Sequence, residues 1–197
     1  MIILAMILNF LLIPSAALLP LVVTKVFNGG ATELGWTEAL FGVGMIAGGI
    51  LLGIWGGFKR RIITSFSGII GIGIGCILIG FVPANMFYLL LSANFIIGFM
   101  QVFANGPLMA IFQSTIAPDK QGRVFSLLGA GATAMMPLSL LFSGPIADQF
   151  GIRFWYIFGG SVCILMTILS FFVPAIMNIE TNHEAAIVPI AEQQISG

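Results

Sequence analysis

Charge is what this sequence has least of: seven Lys and Arg and seven Asp and Glu in 197 residues, a single His, and a net charge of zero. No basic run is longer than Lys59-Arg60-Arg61, so nothing could track a phosphate backbone and no nucleic-acid partner is expected. Cysteine is rare too, at two residues. Cys76 and Cys163 sit mid-way through apolar stretches, without metal-ligand spacing or a neighbouring His, and read as small apolar residues rather than a disulfide or a metal site. The one imidazole, His183, lies near the C-terminus, so an intramembrane protease or lipid hydrolase would lack the base or metal its nucleophile needs. No enzyme, metal or cofactor is expected.

What is present is apolar: 59% of the residues are hydrophobic and 7% charged, with a mean hydropathy of +1.12. No soluble globular domain has this composition. The apolar residues fall in blocks of about 20, the helical length that crosses a ~30 Å hydrocarbon layer. Strands of a membrane barrel would alternate apolar and polar residues, and these blocks do not. The expected fold is an all-α membrane protein of six spans: residues 2–23, 36–58, 62–82, 86–117, 124–146 and 154–176. The first block has no basic start and is too long for a signal peptide. A six-helix domain over residues 1–177 is followed by a polar stretch, 178–197, read as a flexible cytoplasmic tail.

Lys and Arg are retained on the cytoplasmic side of a bilayer. The second and fourth connections hold Lys59, Arg60, Arg61, Lys120 and Arg123, and the odd ones only Lys25 and Arg153. Both termini are therefore placed inside. Asn28-Gly29-Gly30 and Pro83-Ala84-Asn85 read as turns, and Pro118 to Arg123 as a polar break between the fourth and fifth helices. Gly44 with Gly48, Gly49 with Gly53 and Gly57, and Gly71 with Gly75 stand four residues apart, a spacing that brings helices backbone to backbone. They serve packing alone, or packing that also slides during a conformational change.

Gly53-Ile54-Trp55-Gly56-Gly57-Phe58-Lys59-Arg60-Arg61 resembles the loop signature of the major facilitator superfamily, Gly-x-x-x-Asp-Arg-x-Gly-Arg-Arg, which joins the second and third helices of each six-helix half. Gly53, Phe58, Arg60 and Arg61 fit the pattern, whereas Gly56 stands where the family has its acid and Lys59 replaces a glycine. A second copy, Gly144-Pro145-Ile146-Ala147-Asp148-Gln149-Phe150-Gly151-Ile152-Arg153, follows the fifth helix, and Phe58 with Arg61 and Phe150 with Arg153 share one spacing. The two copies fall on opposite membrane faces, the pattern of an inverted three-plus-three repeat. Gly29 to Trp36, Gly98-Phe99-Met100 with Asn105-Gly106-Pro107, Pro118 with Gln121-Gly122-Arg123-Val124-Phe125, and Ala175 to Glu180 are similar to bacterial drug exporters of the macrolide-efflux branch.

That resemblance implies the carboxyl-terminal half of a proton-coupled exporter of hydrophobic drugs in a bacterial plasma membrane. Its partners would be the lipid bilayer, a separate amino-terminal six-helix half, a small hydrophobic substrate and protons. Asn94, Gln101, Asn105 and Gln113 lie on one face of the fourth helix by spacing. They serve either interhelical hydrogen bonding or, as the family's cavity-lining first and fourth helices imply, a substrate path with Asn9 and Ser15; Gln113 is the weaker candidate. Phe10, Phe95, Phe99, Met100 and Phe103 offer a greasy wall or plain lipid and core contact. Glu38 reads as interfacial, with a coupling role as the alternative. Pro14, Pro20, Pro107, Pro137 and Pro145 each free a carbonyl one turn back, and Gly106-Pro107 and Gly144-Pro145 are the expected pivots.

Overall fold

A chain this apolar has to satisfy its backbone hydrogen bonds within each segment. The computed structural model describes residues 2–116 and 118–173, and contains no strand among them. The described residues form α1 (Ile2–Leu21), α2 (Ala31–Trp55), α3 (Arg61–Phe81), α4 (Phe87–Thr115), α5 (Pro118–Phe150) and α6 (Ile152–Phe171). Segments Ile7–Val26, Ala31–Trp55, Arg61–Phe81, Phe87–Ile111 and Ile152–Phe171 are long and apolar enough to cross a membrane. The expected tail, with His183, and the end of the sixth span beyond Val173 lie outside the described residues.

The ends of the helices follow from local chemistry. After Pro20 the first helix widens into a π turn, Val22–Val26, where the Thr24 hydroxyl donates to the Pro20 carbonyl at 2.8 Å. Asn28 then takes a left-handed φ of 52°. The Gly30 N–H donates to Glu33 Oε2 at 2.7 Å, the half of a capping box that a glycine N-cap can form. That cap starts α2 at Ala31, more than a turn before the expected Trp36. At the other end Gly56 and Gly57 hold φ of 75° and 79°, a conformation that costs any other residue dearly. The Phe58 N–H donates to Thr64 Oγ1 at 2.9 Å, which folds the loop carrying Lys59 and Arg60 back onto the start of α3.

Two expected breaks are helix instead. Pro118 to Arg123 is not a polar loop: Pro118 and Asp119 open α5, where a missing N–H costs nothing and an acid meets the positive end of the helix. Gly122 and Arg123 accordingly belong to the first turns of α5. The Gln121 side-chain amide donates to the Gln113 and Ile116 carbonyls at 2.9 and 3.0 Å, capping the end of α4 across the junction. Likewise α5 runs through Gly144, Pro145 and Asp148 to Phe150, and the break before α6 is Gly151 alone, at φ 87°. Arg153 lies in the first turn of α6.

The most extensive pairings are α2 on α4, α4 on α3, α3 on α6, and α1 on α5 and α6. Helix α3 lies at the centre, burying Ile62, Phe66, Ile69, Ile72, Cys76 and Ile79. Small residues set the spacing there. A Cβ on Gly160 of α6 would stand 2.6 Å from the Gly73 carbonyl oxygen, and one on Gly73 of α3 would stand 2.9 Å from that of Gly160. Gly44 and Gly48 likewise press on the α4 backbone at Phe95 and Phe99, whereas Gly49 and Gly53 face open space. Of the two expected glycine stripes the first, Gly44 with Gly48, is the contact with α4, and of the second only Gly57, past the end of α2, meets a neighbour, Thr64 of α3.

Candidate functional site

A cavity of about 320 Å³ opens between α1 and α4. Its back is apolar, formed by Ile69, Ile72, Cys76 and Ile79 of α3, and Leu8, Leu12 and Leu19 of α1 contribute further carbon. Polar groups come from all sides: Asn9 and Ser15 of α1, Glu38 of α2, Asn94, Gln101 and Asn105 of α4, and Tyr156 of α6. The spacing of Asn94, Gln101 and Asn105 brings the three amides within about 40° of one another around α4, and the cavity receives all three.

The two asparagines of α4 are each held by their own helix. Asn94, buried, donates through Nδ2 to the Leu90 carbonyl at 3.0 Å. Asn105 does the same to the Gln101 carbonyl at 3.1 Å. Such a bond uses one N–H of the amide and fixes its rotamer, leaving a carbonyl and a second N–H as the amide's remaining capacity. Ser15 is buried in the wall, and its Oγ has no hydrogen-bond partner in the structure. Its backbone carbonyl accepts from the Tyr156 hydroxyl. The mixture of a carbon wall with a few fixed donors and acceptors is what small-molecule sites are made of.

The five expected cavity residues, Asn9, Ser15, Asn94, Gln101 and Asn105, thus come together. Gln113 does not join them and offers its carbonyl to Gln121. The aromatic candidates do not line the cavity either. Phe95, Phe99 and Phe103 stack in a column, centroids 6.2 and 5.2 Å apart, on the side of α4 that meets α2. Met100 packs over Gly71 of α3. The signature residues Gly53, Phe58, Lys59, Arg60, Arg61, Pro107, Gly122, Arg123, Gly144, Pro145, Asp148, Gly151 and Arg153 lie away from the cavity lining. Phe58 closes edge-on against Trp55, 4.8 Å between centroids.

Three polar or thiol lining residues, Tyr156, Cys76 and Glu38, were not among the expected cavity residues. Tyr156 and Cys76 enter through tertiary packing alone. Glu38, read as interfacial with a coupling role as the alternative, is exposed; with α2 beginning at Ala31 it stands in the second turn and lines the cavity beside Phe41. Its signal was there to be found, since an acid inside an apolar span is unusual. Among the described residues no group of three or more His, Cys, Asp or Glu is placed to hold a metal ion.

The family model of the Major Facilitator Superfamily matches residues 1–191. The chain belongs to the major facilitator superfamily. Its apolar helices and this membership make it a multi-pass membrane protein. Among curated relatives it is similar to macrolide efflux protein A of Streptococcus pyogenes, 34% identical over 160 residues, 81% of this chain and 40% of that protein. The protein of the same name from Enterococcus faecalis is 36% identical over 131 residues, 66% of this chain and 41% of the relative. The multidrug efflux pump Tap of Mycolicibacterium fortuitum is 28% identical over 153 residues, 76% of this chain and 36% of the pump. The chain therefore spans about two-fifths of the length of these major facilitator relatives. No solved structure matches it.

Proposed function

We propose that the chain is the carboxyl-terminal half of a secondary active exporter that moves hydrophobic or amphiphilic drugs, macrolide-like antibiotics among them, out of a bacterial cell by alternating access. The observation that carries this reading is the cavity between α1 and α4, apolar at its back with amides and a hydroxyl fixed around it. Efflux proteins as relatives over most of the chain support it. Coupling to protons belongs to the same reading, as does a six-helix partner half that supplies the opposite wall.

An inverted three-plus-three architecture with six spans accounts for the packing order. Read through the main contacts, the helices run α2, α4, α3, α6, α1, α5. Exchanging α1–α3 with α4–α6 gives the same order backwards, as a two-fold axis in the membrane plane requires. On this reading α5 is the remaining span. Positive charge collects at the α2–α3 and α4–α5 junctions, Lys59, Arg60, Arg61, Lys120 and Arg123, which favours both termini on the cytoplasmic side.

The test is drug accumulation in susceptible bacteria expressing this chain alone and together with an upstream six-helix half, with erythromycin-like and unrelated compounds side by side. Lower accumulation in the paired cells, abolished when the proton gradient is collapsed, is the expected result. Unchanged accumulation in both, with membrane insertion verified, would reject the export reading and leave a non-transporting membrane fragment or assembly partner.

A further inference from the structure

The turn between α2 and α3 gathers positive charge in a stretch without acids. Lys59 and Arg60 are exposed, and no Asp or Glu occurs between Glu38, in the second turn of α2, and Asp119, in the first turn of α5. The turn is also built to hold one shape. Gly56 and Gly57 take positive φ, the Phe58 N–H donates to the Thr64 hydroxyl, and Thr64 is itself buried in α3. The backbone that carries Lys59 and Arg60 is thereby tied to the bundle. Directly before it stand Ile54, Trp55 and Phe58, all three exposed, with the two rings packed edge to face. A Cβ on Gly53, just before Ile54, would meet nothing within 4 Å.

Cations on a fixed turn beside an exposed apolar cluster match the two parts of one amphiphile. We infer that the α2–α3 turn is a binding site for an anionic phospholipid, with the phosphodiester at Lys59 and Arg60 and the glycerol end of the chains against Ile54, Trp55 and Phe58. A guanidinium can take two phosphate oxygens in one plane, and an ammonium adds a point charge. Tryptophan belongs at the level of the headgroups, where one side of the ring is apolar and the other wet. A free phosphate would gain nothing from the rings, and a zwitterionic headgroup would bring an ammonium to a turn that offers no carboxylate. The open space at Gly53 leaves room for a chain along α2. This site lies apart from the cavity, and the inference does not depend on drug export.

The test is tryptophan quenching by brominated lipid, read on the full chain in nanodiscs of phosphatidylcholine. Rising fractions of dibrominated phosphatidylglycerol are compared with the same fractions of dibrominated phosphatidylcholine. Stronger quenching by phosphatidylglycerol is expected. The excess should vanish in Trp55→Phe, since Trp36 stands at the other end of α2 and Trp155 is buried in α6. Lys59→Gln and Arg60→Gln should each lower the relative affinity for phosphatidylglycerol about fivefold, the weight of one cation at an anionic lipid surface. Lys120→Gln and Arg123→Gln, at the other basic junction, should lower it less than about twofold. Quenching by phosphatidylcholine should be the same in these four charge variants, which shows that the fold is kept. Equal losses in all four would mean charge spread over the surface and no site. An undiminished preference in Lys59→Gln and Arg60→Gln, or excess quenching that survives in Trp55→Phe, would likewise overturn the inference. So would loss of the excess on adding inorganic phosphate at constant ionic strength, which would make a free anion the occupant.

Discussion

The Tyr156 hydroxyl of α6 donates a hydrogen bond to the backbone carbonyl of Ser15 in α1, across the wall of the cavity. The phenol is buried, so the bond has no water to replace it. Helix α1 makes its main contacts with α5 and α6, and this bond is a polar tie that joins it to α6. Tyr156→Phe removes the donor and keeps the ring. We expect it to destabilise the chain by about 1 kcal/mol, within the span measured for hydrogen bonds between membrane helices. Unfolding of the purified protein in mixed micelles reads this, and a loss below about 0.2 kcal/mol would show the bond to be idle.

Gly160 and Gly73 bring α6 and α3 into backbone contact, with Cβ clearances of 2.6 and 2.9 Å. Gly160→Leu should cost about 1–3 kcal/mol through overpacking. Gly49→Leu, whose Cβ meets nothing within 4 Å, should change stability by less than about 0.5 kcal/mol. Equal effects in the same unfolding measurement would contradict the packing described here.

The two sides of α4 separate binding from packing. The aromatic column of Phe95, Phe99 and Phe103 is centred about 140° round the helix from Asn94, Gln101 and Asn105. In a complete transporter, Asn94→Ala and Gln101→Ala should each weaken drug binding about three- to tenfold, the loss of about one hydrogen bond. Phe99→Leu should leave affinity unchanged and lower stability by ~1 kcal/mol. Binding lost on the aromatic side instead would move the substrate path to the α2 face.

Pro107 sits inside α4 and Pro145 inside α5, and each deprives the carbonyl one turn back of its helical partner. As pivots for rocking, they should slow export at least about threefold when changed to Ala, with drug affinity preserved. Export at the wild-type rate in Pro107→Ala and Pro145→Ala would end the pivot idea.

Much of the fold is legible in the sequence because lipid leaves few options: a run of about 20 apolar residues bounded by Gly, Asn or charge becomes a helix. The amide face of α4 is legible too, since a seven- and a four-residue step return to one side of a helix whatever packs there. Periodicity also gathers Phe95, Phe99 and Phe103 on one side, but it cannot say that α2 lies there, because that depends on where Gly44 and Gly48 make room. The start of α2 was placed five residues late for a local reason. The residues from Ala31 to Gly35 look like loop until the Glu33 carboxylate turns back to Gly30 and adds a turn to the helix. Tyr156 reaches Ser15 from 141 residues away, a distance over which no sequence pattern extends.

The run of main contacts passes from α4 to α1 through α3 and α6, and midway along that seam glycine meets glycine, Gly73 against Gly160. Mechanically the six helices are two leaves bound at a spine. The cavity lies between the leaves, so its width is set by the angle at the spine, and a slight turn where Gly73 meets Gly160 is magnified at the outer edges. On the proposed export reading, a drug of a different girth would be met by turning the leaves, with the side chains of each page left as they are.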